Sequence, residues 1–82
     1  MNPEQAVVTG AMVREMLESD AWKIVIQELG YRIDALEAMK ENSYDPNVHF
    51  GCNKEICGIM MVTETANRLV EDGYEASQEL QV

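Results

Sequence analysis

The amino-acid sequence predicts an all-α protein: an antiparallel two-helix hairpin, packed like a coiled coil, with a short helix before it. Large apolar side chains recur at spacings of four, three, four and three residues: Trp22, Ile26, Leu29, Ile33 and Leu36. Smaller residues repeat this alternation further along: Cys52, Ile56, Ile59, Thr63, Ala66 and Val70. Such spacing forms a narrow apolar seam on a helix, and a bulky seam packs closely against a slim one. No stretch has the alternation of a strand.

The first helix is predicted over residues 3–18. Asn2 can cap it, Pro3 suits the first helical position, and Gln5 stands where a capping-box side chain reaches back. Val8, Met12 and Met16 then form an apolar face at spacings of four. Methionines more often fill a core than line a binding surface, so this face is interpreted as packing.

The second helix is predicted over residues 20–41. Either Ser19 or Asp20 can accept hydrogen bonds from the free N–H groups of its first turn. Arg32 has two possible partners. One is Glu28, one turn earlier in the same helix. The other is an acidic residue on the facing helix, because residues that flank the seam of a coiled coil form ion pairs between helices. Trp22, the largest apolar group, is interpreted as a core or interface anchor.

A loop is predicted over residues 42–52, a third helix over residues 53–72 and an acidic tail over residues 73–82. Turn-forming residues run from Asn42 to Asn47, and Gly73 is a plausible C-terminal cap. One alternative stays open at this point. Asp45-Pro46 could begin the third helix several residues earlier.

Length and charge restrict the function. A chain of 82 residues makes one domain with a small core, which favours oligomerisation as added stabilisation. Fifteen acidic and six basic residues give a net charge of -9, which disfavours direct nucleic-acid binding. No apolar run approaches the ~20 residues of a membrane-spanning helix, and no secretory signal is visible. With only two cysteines, we expect a soluble, cytoplasmic protein without membrane contact.

His49, Cys52 and Cys57 are the candidate metal ligands, because thiolates and imidazole bind zinc. Their spacing argues against a site, since no second cysteine pair completes a tetrahedral shell. The simpler interpretation is that Cys52 or Cys57 is a buried apolar residue and that His49 lies at the surface in a loop. No nucleophile motif or phosphate-binding loop is present either. We therefore predict no metal, no cofactor, no catalytic residues and no small-molecule substrate.

Three motifs resemble a group of small helical-hairpin proteins encoded by tailed bacteriophages. They are Ser19-x-x-Trp22 at the start of a long helix, Arg32-Ile33-x-x-Leu36 in its middle, and Gly58 before an apolar run in the following helix. The resemblance covers about residues 19–72. It implies a phage-encoded accessory or structural protein that acts through contacts, in the host cytoplasm or associated with the virion.

The leading hypothesis is therefore a non-enzymatic interaction or assembly module, which binds a second copy of itself or a larger protein. Its predicted interface consists of Trp22, Ile26, Leu29, Ile33, Ile56, Ile59 and Met60. A rival hypothesis follows from the acidic end, where Glu71, Asp72, Glu75 and Glu79 come after the last basic residue. It describes a small acidic inhibitor, or a mimic of nucleic-acid charge, that binds a basic host protein.

Overall fold

A computed structural model describes residues 1–81 of the chain, and this part is all-helical, as the sequence predicts. Three helices occupy it: α1 (Pro3–Glu18), α2 (Asp20–Glu41) and α3 (Pro46–Leu80). Both α1 and α2 contact α3, and α1 makes the more extensive contact. The molecule measures 56 × 26 × 13 Å along its principal axes, so the helices form one flat, elongated layer.

The first two helices have the predicted bounds. Each begins directly after a capping residue, which can be recognised from the local sequence. At α1, Asn2 accepts a hydrogen bond from the backbone N–H of Gln5 at 2.8 Å, and the Gln5 side chain accepts one from the Asn2 backbone. Ser19 alone separates α1 from α2. Its hydroxyl donates to the Met16 carbonyl at 2.6 Å and accepts from the Trp22 N–H at 3.2 Å.

The predicted loop over residues 42–52 is wrong, because α3 begins at Pro46. Asp45 caps the helix by accepting from the Asn47 N–H at 2.9 Å, and Pro46 occupies the first turn, where its missing N–H costs nothing. His49 Nε2 lies 2.6 Å from the carbonyl oxygen of Ser43 and so ties the short connection to the helix. The early start that Asp45-Pro46 permitted is the correct one.

The predicted end of the third helix at residue 72 is also wrong, because α3 continues to Leu80. Residues 73–80 of the predicted acidic tail are therefore helical, and Val82 lies outside the described residues. Gly73 is buried inside the helix and has no left-handed conformation. It faces Gly10 of α1, so its missing side chain serves a close helix contact and not a cap.

The core is thin. Its buried apolar residues are Leu36, Cys52, Ala66 and Ala76, and no large side chain among residues 1–81 is fully buried. Of the α2 seam residues, Leu36 is buried, but the others are only half-buried because a single layer of helices covers the seam from one side: Trp22, Ile26, Leu29 and Ile33. Val8 and Met12, which the sequence predicts to be packing residues, are instead more than half exposed, and so is Met60.

Candidate functional site

An apolar groove runs between α2 and α3 on one face of the layer. It has a volume of about 300 Å³. Its lining residues are Ile26, Leu29, Gly30, Ile33, Ile59, Met60, Thr63 and Glu64. Glu64 is the only charged residue among them, so the groove offers mainly hydrocarbon to whatever contacts it. Grooves of this type accommodate apolar side chains of a protein partner more readily than a polar metabolite.

Arg32 and Glu55 form an ion pair between α2 and α3. Arg32 Nε lies 2.5 Å from Glu55 Oε2, and Arg32 Nη2 donates to Glu55 Oε1 at 3.0 Å. At 3.6 residues per turn, Arg32 and Gly30 project from opposite sides of the α2 seam. The ion pair therefore crosses one face of the layer and the groove opens on the other. Of the two partners that the sequence left open for Arg32, the structure shows the one on the facing helix, which is Glu55.

This ion pair shifts the acidity of both groups. The hydrogen bond from Arg32 holds the pKa of Glu55 below its usual value of 4.5. The same contact raises the pKa of Arg32 above its usual value. Both side chains are about half exposed, so solvent screens the pair and it contributes little to the free energy of folding.

Five of the seven residues predicted as an interface line the groove together: Ile26, Leu29, Ile33, Ile59 and Met60. The two others, Trp22 and Ile56, are half-buried and lie outside its lining. Met60 is 51% exposed, which makes it the most accessible of the seven. The geometry thus brings most of this set to one face, while their role as an interface stays a prediction.

The candidate metal ligands do not form a site in the described part of the chain. His49 contacts the Ser43 carbonyl, Cys52 is buried and Cys57 is exposed. Within residues 1–81, no group of three or more His, Cys, Asp or Glu side chains is arranged to hold a metal ion. His49 and Cys52 therefore have structural explanations. His49 lies in the first turns of α3, and not in a loop as predicted, where it contacts the connection before the helix, and Cys52 belongs to the core.

A second groove lies between the start of α1 and the end of α3. Its volume is about 480 Å³. Apolar and acidic residues line it together: Met1, Pro3, Ala6, Leu69, Asp72, Glu75, Ala76 and Glu79. Since α3 remains helical here, Glu71, Asp72, Glu75 and Glu79 project from one side of it. Sequence reasoning missed this arrangement because it predicted a tail.

The fold and the groove together define an all-α protein with an open apolar face. Along residues 1–81, no helix combines the length and the hydrophobicity needed to cross a membrane. The chain matches no protein-family model, and neither the curated proteins nor the solved structures contain a match to it.

Proposed function

We propose that this protein is a non-enzymatic interaction or assembly module, in which α2 and α3 act as a helical hairpin that binds another protein. The groove face is the proposed contact surface, and Met60 is the most exposed of its apolar side chains. Binding there requires no metal, cofactor or small-molecule substrate. The resemblance to hairpin proteins of tailed phages makes a structural or accessory role in a phage the specific form of this proposal.

The observation that carries the proposal is the amount of surface that the chain leaves uncovered. Its accessible surface is 6198 Å², whereas a compact monomer of 9.3 kDa exposes about 5,000 Å². Its radius of gyration of 17.2 Å likewise exceeds the roughly 12 Å of a compact 82-residue domain. A chain with this much excess surface, and with no fully buried large side chain among residues 1–81, gains stability when a partner covers its apolar face.

Photo-crosslinking in the native cell tests this proposal with a matched pair of positions. Met60 and Met61 are adjacent and similarly exposed, at 51% and 62%, but only Met60 lines the groove. A photoreactive amino acid at position 60 should form a covalent adduct with a protein, either a second copy or another chain. The same group at position 61 should form much less. Equal yields at both positions, or none, would contradict the proposal.

The acidic end supports a second candidate function. Four carboxylates project from one side of a continuous helix, and three of them line a groove together with apolar residues. This arrangement suits a basic partner whose contact surface is part apolar and part cationic. We propose as the alternative that the protein inhibits a basic host protein, or imitates nucleic-acid charge toward it. Here the acidic end, and not the groove between α2 and α3, would make the contact.

Salt separates the two functions. Attraction between exposed charges is screened beyond about 8 Å at physiological ionic strength, whereas apolar contacts persist at high salt. A partner that is captured at low salt and lost at high salt supports the inhibitor. That capture should also be lost when Glu71, Asp72, Glu75 and Glu79 are replaced by their amides. Capture that survives both changes favours the groove.

A further inference from the structure

We propose that the occupant of the α2–α3 groove is a second copy of this chain, bound through the same face in a two-fold symmetric dimer. This inference rests on the proposed function and names its partner. In the dimer, α2 of one copy lies antiparallel to α2 of the other, and the symmetry axis passes beside Gly30. Because Gly30 and Met60 line the same groove, the axis also crosses α3 near Met60.

Gly30 is the first observation that points to a second chain. It lies within α2, where glycine weakens a helix relative to alanine. Nothing within this chain requires it, because a Cβ built at Gly30 meets no atom within 4 Å. Gly10 and Gly73, in contrast, are needed for a contact inside the molecule. A glycine on the open groove face lets the backbone of another helix approach closely, as it does at the α1–α3 contact.

The charges around Gly30 supply the second observation. Lys23 stands seven residues before it and Glu37 seven residues after it, so all three project from the same side of α2. Both charged side chains are exposed, and within the chain Glu37 Oε2 also lies 3.5 Å from Lys40 Nζ of the same helix. A two-fold axis at Gly30 therefore brings Lys23 of each copy beside Glu37 of the other, which makes two ion pairs between chains. This pattern is self-complementary, as an interface between identical surfaces must be.

The uncovered surface has the size that such a dimer needs. The chain exposes about 1,200 Å² more than a compact monomer of its mass. A standard protein–protein interface covers about 800 Å² on each partner. One interface per chain is therefore sufficient. Stacking the 13 Å layers of two copies also converts half-buried Ile26 and Ile33 into core residues.

Sedimentation equilibrium of the purified full-length chain tests the dimer directly. The wild-type protein should have twice the chain mass of 9.3 kDa. Gly30→Glu should be monomeric, because it puts two like charges at the symmetry axis, while the open space at Gly30 lets the monomer keep its fold. Gly58→Glu is the matched control: Gly58 also has open space around it but projects from the other side of α3. This control should remain dimeric.

A charge-exchange cycle keeps the proposal testable if Gly30→Glu fails to fold. Lys23→Glu alone and Glu37→Lys alone should each weaken dimerisation about tenfold, since each breaks two symmetric ion pairs. The double variant Lys23→Glu/Glu37→Lys restores both pairs with reversed polarity and should recover most of the lost affinity. Additive losses in the double variant would overturn the symmetric arrangement, and circular dichroism checks that each variant remains helical.

Two outcomes overturn the dimer: a wild-type chain that stays monomeric at the highest attainable concentration, or a dimer that survives Gly30→Glu but not Gly58→Glu. Neither decides the proposed function by itself. If the wild-type chain is monomeric but photo-crosslinking at position 60 still yields an adduct, the groove binds a different protein and the interaction module stands. If position 60 also yields no adduct, both proposals fail.

Discussion

Gly10 of α1 and Gly73 of α3 face each other so closely that a Cβ added to Gly10 would lie 2.9 Å from the Cα of Gly73. The same added atom would lie 2.9 Å from the carbonyl oxygen of Leu69. Both neighbours are backbone atoms, so no side-chain rotation can relieve the overlap. The α1–α3 contact therefore requires glycine, and it joins residues 63 positions apart in the sequence.

Gly10→Ala should destabilise the fold by about 1–3 kcal/mol, although alanine has the higher helix propensity, because α1 must move away from α3. Gly58→Ala is the control: it meets no atom within 4 Å and should stabilise the fold by up to about 1 kcal/mol. Urea unfolding at one fixed protein concentration compares the two, since dimerisation would add to both. A Gly10→Ala variant as stable as Gly58→Ala would contradict the close contact.

The start of α3 depends on Asp45, whose carboxylate accepts from the Asn47 N–H. Asp45→Ala should cost about 1 kcal/mol of unfolding free energy, because it leaves backbone donors of the first turn without their cap. Asp34→Ala removes the same group from an exposed position inside α2 and should be neutral or slightly stabilising. Thermal unfolding of both variants measures the difference, and equal effects would show that the cap contributes nothing.

These helix starts show which parts of the fold could be predicted from sequence. Asn2, Ser19 and Asp45 each act on backbone groups two or three residues away, so their signals are local and can be read directly. At Asp45 the signal was present, but neighbouring turn-forming residues pointed to a longer loop. The spacing of apolar residues also predicted that most of the groove residues lie on one face, because helical periodicity decides which side chains share a face.

The continuation of α3 past Gly73 could not be predicted in the same way. Alone, a glycine after Asp72 and a run of acidic residues indicate a helix end and a solvated tail. The sequence around Gly73 does not show that α1, from a distant part of the chain, packs on this segment at Gly73. Glu55 could not be predicted as the partner of Arg32 for a similar reason. Which acidic residue of α3 lies opposite Arg32 depends on how α2 and α3 align.

The ion pair between Arg32 and Glu55 should make stability depend on pH in acid. Because the folded-state pKa of Glu55 lies below 4.5, the pair stabilises the fold above pH 4.5, and this stabilisation is lost as pH falls through the lowered pKa. Arg32→Gln should therefore be less stable than wild type at pH 7, with a difference that shrinks in more acidic solution. NMR titration should show the pKa of Glu55 returning toward 4.5 in this variant.

Lys54→Gln is the control for charge removal beside that pair. Lys54 Nζ lies over the ring of Phe50, 5.3 Å from its centre, and not against a carboxylate. The substitution removes one positive charge, as Arg32→Gln does, but should leave the pKa of Glu55 below its usual value. If both variants shift the Glu55 pKa equally, the general charge of the molecule and not the hydrogen bond from Arg32 sets it.

Truncation tests whether the end of α3 supports α1. A chain that stops after Asp72 loses Gly73 and Ala76, the small buried residues on which α1 packs. An isolated helix of 16 residues that contains Gly10 is marginal in water, so α1 should unfold together with the removed segment. Far-UV circular dichroism should then show a loss of helix well beyond that of the removed residues. A chain that stops after Glu79 keeps both small residues and should retain α1. If the chain that stops after Asp72 loses only the helix that is removed, the remaining residues hold α1 in place without Gly73 and Ala76.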